Sequence, residues 1–144
     1  MATRLIYDER ERLLAWAAEK IGIGAFRSDA QSIGLVRDED LVAVVAFDTF
    51  SSRDCFMHVA SDGTGHWLTR SFLIHAFAYP FIKCGYRRVT SPIAESNRAA
   101  LRFNLKLGFQ VEGRHPLAAE DGGTLVTTGL IRSRCVFIPK EYRT

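Results

Sequence analysis

The sequence predicts one α/β (α+β) domain built on a mixed sheet, and three observations carry that expectation. The run L-V-A-V-V-A-F-D-T at 41–49 is apolar on both faces, which marks a central strand covered from both sides. Strand-like segments at 32–37, 41–49 and 54–60 follow one another before a long helical pattern begins, the order of an α+β or mixed α/β chain. From Tyr86 to Gly113 the chain then reads strand, capped helix, glycine stop and strand.

Taken in order, Asp8 and Glu11 form a capping box that opens the first helix, and Gly22 or Gly24 closes it. Leu13, Ala17 and Ile21 share one face, with Leu14 and Trp16 beside them as core. The acidic turn Asp38-Glu39-Asp40 joins the first two strands, and Ser51-Ser52-Arg53 leads into the third. A helix is expected over 67–83, with Leu68, Phe72, His75, Ala76 and Tyr79 on one apolar face and His75 structural within it. Pro80 should kink or tighten its last turn before Gly85 closes it.

The strand at 87–95 contains Pro92, which has no N–H to donate and so needs an edge, a bulge or a break in pairing. Asn97 is an N-cap; Ala100, Phe103, Asn104 and Leu107 follow at helical spacing, and Gly108 takes the left-handed stop. Strands at 109–118 and 124–134 make a hairpin around E-D-G-G. A strand running into a helix start can hold an anion, because free N–H groups and the helix dipole point outwards there.

With 144 residues the chain is expected to fold as a single domain, 1–144. Cys55, Cys84 and Cys135 are widely spaced, which argues against a disulfide framework or structural zinc and for a reducing cytoplasm. No apolar run is long enough for a membrane span, and the N-terminal residues lack the apolar core of a signal peptide. The net charge of +3 suits an anionic small ligand or nucleic acid alike. Arg87, Arg88, Arg98, Arg102, Arg132 and Arg134 are scattered without an aromatic platform, so a solvated surface is expected and no nucleic-acid partner. Sheet-edge pairing would allow a homodimer.

The segment G-Y-R-R-V followed by S-N-R-A-A-L-R-F-N-L-K-L-G-F-Q-V-E-G resembles the GCN5-related N-acetyltransferase (GNAT) superfamily, in its bacterial branch acting on ribosomal proteins and small amines. Asn97, Ala99 or Ala100, Lys106-Leu107-Gly108-Phe109 and Glu112-Gly113 carry the likeness, and the order of elements extends it along nearly the whole chain. It implies a mixed, mostly antiparallel sheet with helices on both faces and a central parallel pair, 54–60 and 87–95, splayed at one end. It also implies acetyl-CoA as cosubstrate, an amine of a small molecule or protein as acceptor, direct attack in a ternary complex, and no metal.

Carried onto this chain, the resemblance places the pantetheine arm along Met57 and Val59, with an oxyanion donor near Val59. It places the diphosphate over Gly65, His66, Trp67, Leu68 and Thr69, and adds Asn97 and Phe103 to the cofactor side. Trp67, Thr69 and Thr64 replace the usual small and cationic residues of that loop. Many relatives carry Tyr where Asn104 stands; an amide can donate a hydrogen bond to a thiolate but not a proton. His58, with the best intrinsic pKa among nearby candidates (Asp54 and Glu95 being the others), is the candidate general base. Cys55 is the rival nucleophile and is expected to be a small core residue. The alternative function is a non-catalytic module that keeps the fold for binding or assembly.

Overall fold

The computed structural model describes residues 3–65 and 69–144. Its strands are β1 (Thr3–Ile6), β2 (Gln31–Arg37), β3 (Asp40–Asp48), β4 (Phe56–Ser61), β5 (Arg88–Ala94), β6 (Gln110–His115) and β7 (Leu125–Ile131). The α-helices are α1 (Arg10–Ile21), α2 (Arg70–Ala78) and α3 (Arg98–Leu107). The strands form one mixed sheet in the order β1-β2-β3-β4-β5-β7-β6. Antiparallel ladders join β1 to β2, β2 to β3, β5 to β7 and β6 to β7, while β4 and β5 pair in parallel at the centre of the order. This is the mixed, mostly antiparallel sheet expected. The chain divides into two compact units, Met1–Thr49 with Met57–Ala76, and Phe50–Phe56 with Phe77–Thr144.

In the first unit β3 is the spine, buried at every residue after Asp40, as its two-faced apolar run requires. The β2–β3 turn holds Asp38 and Glu39 at φ 50° and 74°, the left-handed pair whose twist matches a two-residue hairpin. Helix α1 packs on β2 and β3 through Leu13, Leu14, Ala17 and Ala18, whereas Ile21 is exposed. Gly34 makes that approach close: a Cβ there would lie 2.6 Å from a Leu13 methyl. Trp16 is half-buried against the Leu13–Ala17–Val44 cluster, as expected of a core aromatic.

The expected capping box at α1 does not form. The N-cap is Glu9, without a side-chain cap bond; its carboxylate instead takes Arg12 Nη1 at 3.0 Å, an i,i+3 pair across the first turn. Strand β1 was not foreseen, because T-R-L-I is too short and too broken by charge to show a period; it exists through its register with β2. His75 does not lie in the apolar face of α2. That face is Phe72, Leu73, Ala76 and Phe77, and His75 is exposed, its Nδ1 on the Ser71 carbonyl at 2.8 Å.

In the second unit Pro80 falls in a π-helical turn, Tyr79–Lys83, closed by Cys84 N–H donating to the Tyr79 carbonyl at 2.9 Å. The wider turn absorbs a residue that cannot donate. Phe77 stacks with Phe81 and Phe137 at centroid distances of 6.1 and 5.5 Å. Helix α3 starts and stops as its sequence says: the Asn97 side chain accepts from Ala100 N–H, and Gly108 sits at φ 110°. We expect Asn97→Ala to cost about 1 kcal/mol through the lost cap. Gly108→Ala should cost about 1–2 kcal/mol through the strained backbone. Urea unfolding should show both as a lower midpoint at unchanged slope.

Candidate active site

The first unit brings together a histidine and an acid from different strands. His58, on β4, and Asp48, the last residue of β3, meet at 2.8 Å between Nε2 and Oδ1. Their side chains are 15% and 10% exposed. Alternation puts His58 on the α1 side of the sheet: Ala60, two residues on, packs with Leu13 and Ala17 of that helix. The Thr49 hydroxyl donates to the same Asp48 oxygen at 3.2 Å, from a residue at φ 53° that turns the chain sharply out of the strand. The Phe26 ring meets the His58 ring edge-on, centroids 5.4 Å apart.

Burial pushes the Asp48 carboxyl up, but the His58 hydrogen bond and charge, the Thr49 hydroxyl and the Arg27 charge outweigh it. The net direction is below the ordinary carboxylate range. Asp48 escaped the sequence reading. The signal was present, an acid ending a seven-residue apolar run, but its partner is ten positions away and visible only in three dimensions. Beside Phe26 a groove of about 560 Å³ runs between α1 and the segment after it, floored by Leu14, Ala15 and Ala18 and walled by Ile23 and Phe26.

The cofactor-side residues are placed as follows. Met57 is buried and Val59 half-buried on β4. Gly65 lies at φ 78°, where a side chain would be strained, so its glycine has a backbone reason. Thr69 Oγ1 accepts from Phe72 N–H at 3.1 Å and so caps α2, leaving its own O–H able to donate. His66, Trp67 and Leu68 lie outside the described residues.

In the second unit Asn97 is committed through Oδ1 to the α3 cap, and Phe103 is half-buried on the same helix. Asn104 is 4% exposed and donates through Nδ2 to Thr128 Oγ1 at 3.4 Å; Thr128 in turn donates to the Ser91 carbonyl at 2.9 Å. Its amide thus anchors α3 to β5 and β7. Cys55 is fully buried, in keeping with a core residue. Cys135 is also buried, and that burial pushes its thiol up.

The β4–β5 ladder is a single pair, Phe56 with Thr90, supported by Thr90 N–H donating to the Cys55 carbonyl at 3.0 Å. Since the edges of a strand alternate residue by residue, the missing donor of Pro92 falls on the same edge as that N–H. The proline therefore leaves its antiparallel ladder to β7 intact, where Pro92 pairs with Thr127. Glu112 is the bulged residue of β6, between Val111 and Gly113, and the bulge turns its carboxylate onto Arg88 Nη2 at 2.6 Å. Arg88 also reaches Asp54 at 3.4 Å and Thr90 at 3.0 Å. Gly129 makes room for the pair, since a Cβ there would collide with both side chains. Glu112 is therefore neutralised. Asp121 is likewise committed, to Ser96 Oγ at 2.6 Å and Gly123 N–H at 2.9 Å.

No family model and no curated protein matches the sequence. Solved structures do. A mutant spermidine N-acetyltransferase from Vibrio cholerae superposes with a TM-score of 0.75 at 13% identity, over 91% of this chain and 94% of that one. YncA of Salmonella typhimurium, solved with its cofactor acetyl-CoA, gives 0.69 at 15% identity over 91% and 94%. The ribosomal-protein-S18-alanine N-acetyltransferase of Escherichia coli gives 0.68 at 16% over 90% and 94%. The chain has the GNAT fold. Within that fold β4 and β5 are the central parallel pair, and His58 stands on the first of them.

Among the described residues no three His, Cys, Asp or Glu side chains group as metal ligands. No helix among them is long and apolar enough to cross a membrane. Asp48, with its carboxyl held low, stabilises the fold fully above the ordinary carboxylate value of about 3.9 and loses that contribution as pH falls through its lower native value. We therefore expect Asp48→Asn to melt below the parent at neutral pH, and the gap to close on acidification below about pH 4. A gap independent of pH in a calorimetric series would contradict this.

Proposed function

We propose that this protein is an acetyl-CoA-dependent N-acetyltransferase acting on a primary amine, with His58 as general base. The observation that supports it best is a titratable, partly exposed histidine held by a buried acid on the first strand of the central parallel pair of a GNAT fold. Acetyl-CoA supplies an activated acetyl group on a thiolate leaving group. Transfer forms an N–C bond, breaks the C–S bond, leaves the electron pair on sulfur and releases a proton from the amine.

The residues fit those demands. His58 takes the amine proton, directly or through one water. The backbone N–H near Val59 is read as the donor to the carbonyl oxygen, a role a strand edge can fill without a side chain. The acyl-CoA arm is assigned to Met57 and Val59 on β4, as the resemblance implies. The left-handed Gly65 and the Thr69 hydroxyl are assigned to the diphosphate together with His66, Trp67 and Leu68. Asn97 and Phe103 stay on the cofactor side from the resemblance, as does Asn104 as a candidate hydrogen-bond donor to sulfur. Because Asn104 has no proton to give at neutral pH, the thiolate takes its proton from solvent, which a thiol of ordinary pKa tolerates.

A thermal-shift titration with acetyl-CoA should raise the melting temperature, followed by a thiol-release screen of primary amines. His58→Gln should then lower kcat about 100-fold or more while leaving the acetyl-CoA shift in place. Absence of any shift at millimolar acetyl-CoA would favour the non-catalytic module instead.

A further inference from the structure

The groove of about 560 Å³ beside α1 plays no part in the reaction above, yet it has the size of a small-ligand site. We propose that it binds a straight-chain aliphatic amine carrying two positive charges on the order of 12 Å apart.

The floor is apolar. Leu14, Ala15 and Ala18 line it from the helix, and Ile23 and Phe26 face them from the segment that follows. Glu11 and Glu19 lie on the same stripe of α1, eight positions apart with Ala15 midway, so the helix rise separates them by roughly 12 Å. Both are exposed, and neither has a hydrogen-bond or ion-pair partner among the described residues.

The cations nearby are already engaged. Arg10 donates through Nε to the Ala30 carbonyl at 2.6 Å and through Nη2 to the Ser28 carbonyl, which clasps the segment against α1 and builds the wall. Arg27 lies 3.9 Å from Asp29, and its charge also acts on Asp48. Lys20, next to Glu19, sits over the Trp16 ring at 5.4 Å. With Asp29 and Asp48 counted, carboxylates outnumber guanidinium groups around the groove by four to two.

An apolar trough with surplus negative charge and an acid towards each end matches a methylene chain between two ammonium groups. The chain displaces water from Leu14, Ala15 and Ile23, while each ammonium meets a carboxylate at the solvent margin. A monocation would use one acid only, and an anion would meet both with the wrong sign.

The test is a calorimetric titration of the whole chain, without acetyl-CoA, using a straight-chain eight-carbon diamine. It should bind about threefold or more tightly than the eight-carbon monoamine or a three-carbon diamine, and its affinity should fall as salt is raised. Glu11→Gln and Glu19→Gln should each remove the preference for two charges. Ala15→Phe, which fills the floor from an exposed position, should abolish binding, and all three variants should melt close to the wild type. Equal affinity for monoamine and diamine, a preference unmoved by both Gln variants, or no binding at millimolar diamine would overturn the proposal. Because acetyl-CoA is left out, the two readings fail separately: a chain that binds the diamine but not acetyl-CoA keeps this site and loses the transferase function.

Discussion

Strand β3 is buried along eight consecutive residues and ends on a carboxylate, and much of the first unit answers to that constraint. An unpaired buried carboxylate is costly enough that it would protonate or pull the strand end open. The structure resolves the problem with a histidine from the neighbouring strand, a hydroxyl from the next residue and an arginine charge from the segment after α1. Each partner is thereby fixed in turn. His58 can no longer rotate freely, Thr49 turns sharply out of the strand at φ 53°, and Phe26 finds an aromatic edge to rest on. The placement of a candidate base is thus a consequence of hydrophobic burial, because the apolar run decides where the acid must sit.

The parts of the fold that were legible in the sequence are those in which local chemistry and tertiary packing agree. The two-faced apolar run of β3, the Asn97 cap and the Gly108 stop each specify their conformation without help from distant residues. What could not be read depends on partners far along the chain. Strand β1 is a strand only because β2 offers it an edge, and the N-cap position falls on Glu9, whose carboxylate pairs with Arg12 without capping. His75 was misplaced because its three-residue spacing from Phe72 fits a helical stripe, whereas the buried face runs through Phe72, Leu73, Ala76 and Phe77.

The same division runs through the site. His58 could be singled out from its residue type, yet its orientation depended on Asp48, which no spacing rule connects to it. Conversely, two acids that could meet a cationic amine, Glu112 and Asp121, are absorbed by the fold. Glu112 is turned by a bulge onto Arg88, and Asp121 closes a loop with Ser96 and Gly123. The groove beside Phe26 carries Glu11 and Glu19 instead, eight positions apart on α1 with Ala15 midway, so carboxylates flank a small residue along one ridge of the helix. Available charge differs from charge counted along the chain, and only the contacts separate the two.

The commitment of Asn104 also bears on the proton inventory. Its amide holds Thr128, which holds the Ser91 carbonyl, so this buried chain joins α3 to two strands. A tyrosine at that position would bring a proton donor but would have to give up this bond or displace its neighbours in a site that is 4% exposed. Asn104 is thus committed to a structural bond. If His58 is the base and solvent protonates the thiolate, a single group governs the proton balance on the acid side. The rate profile should then show no falling limb owed to a protein acid. That asymmetry follows, on that proposal, from an amide at position 104 that has no proton to give at neutral pH.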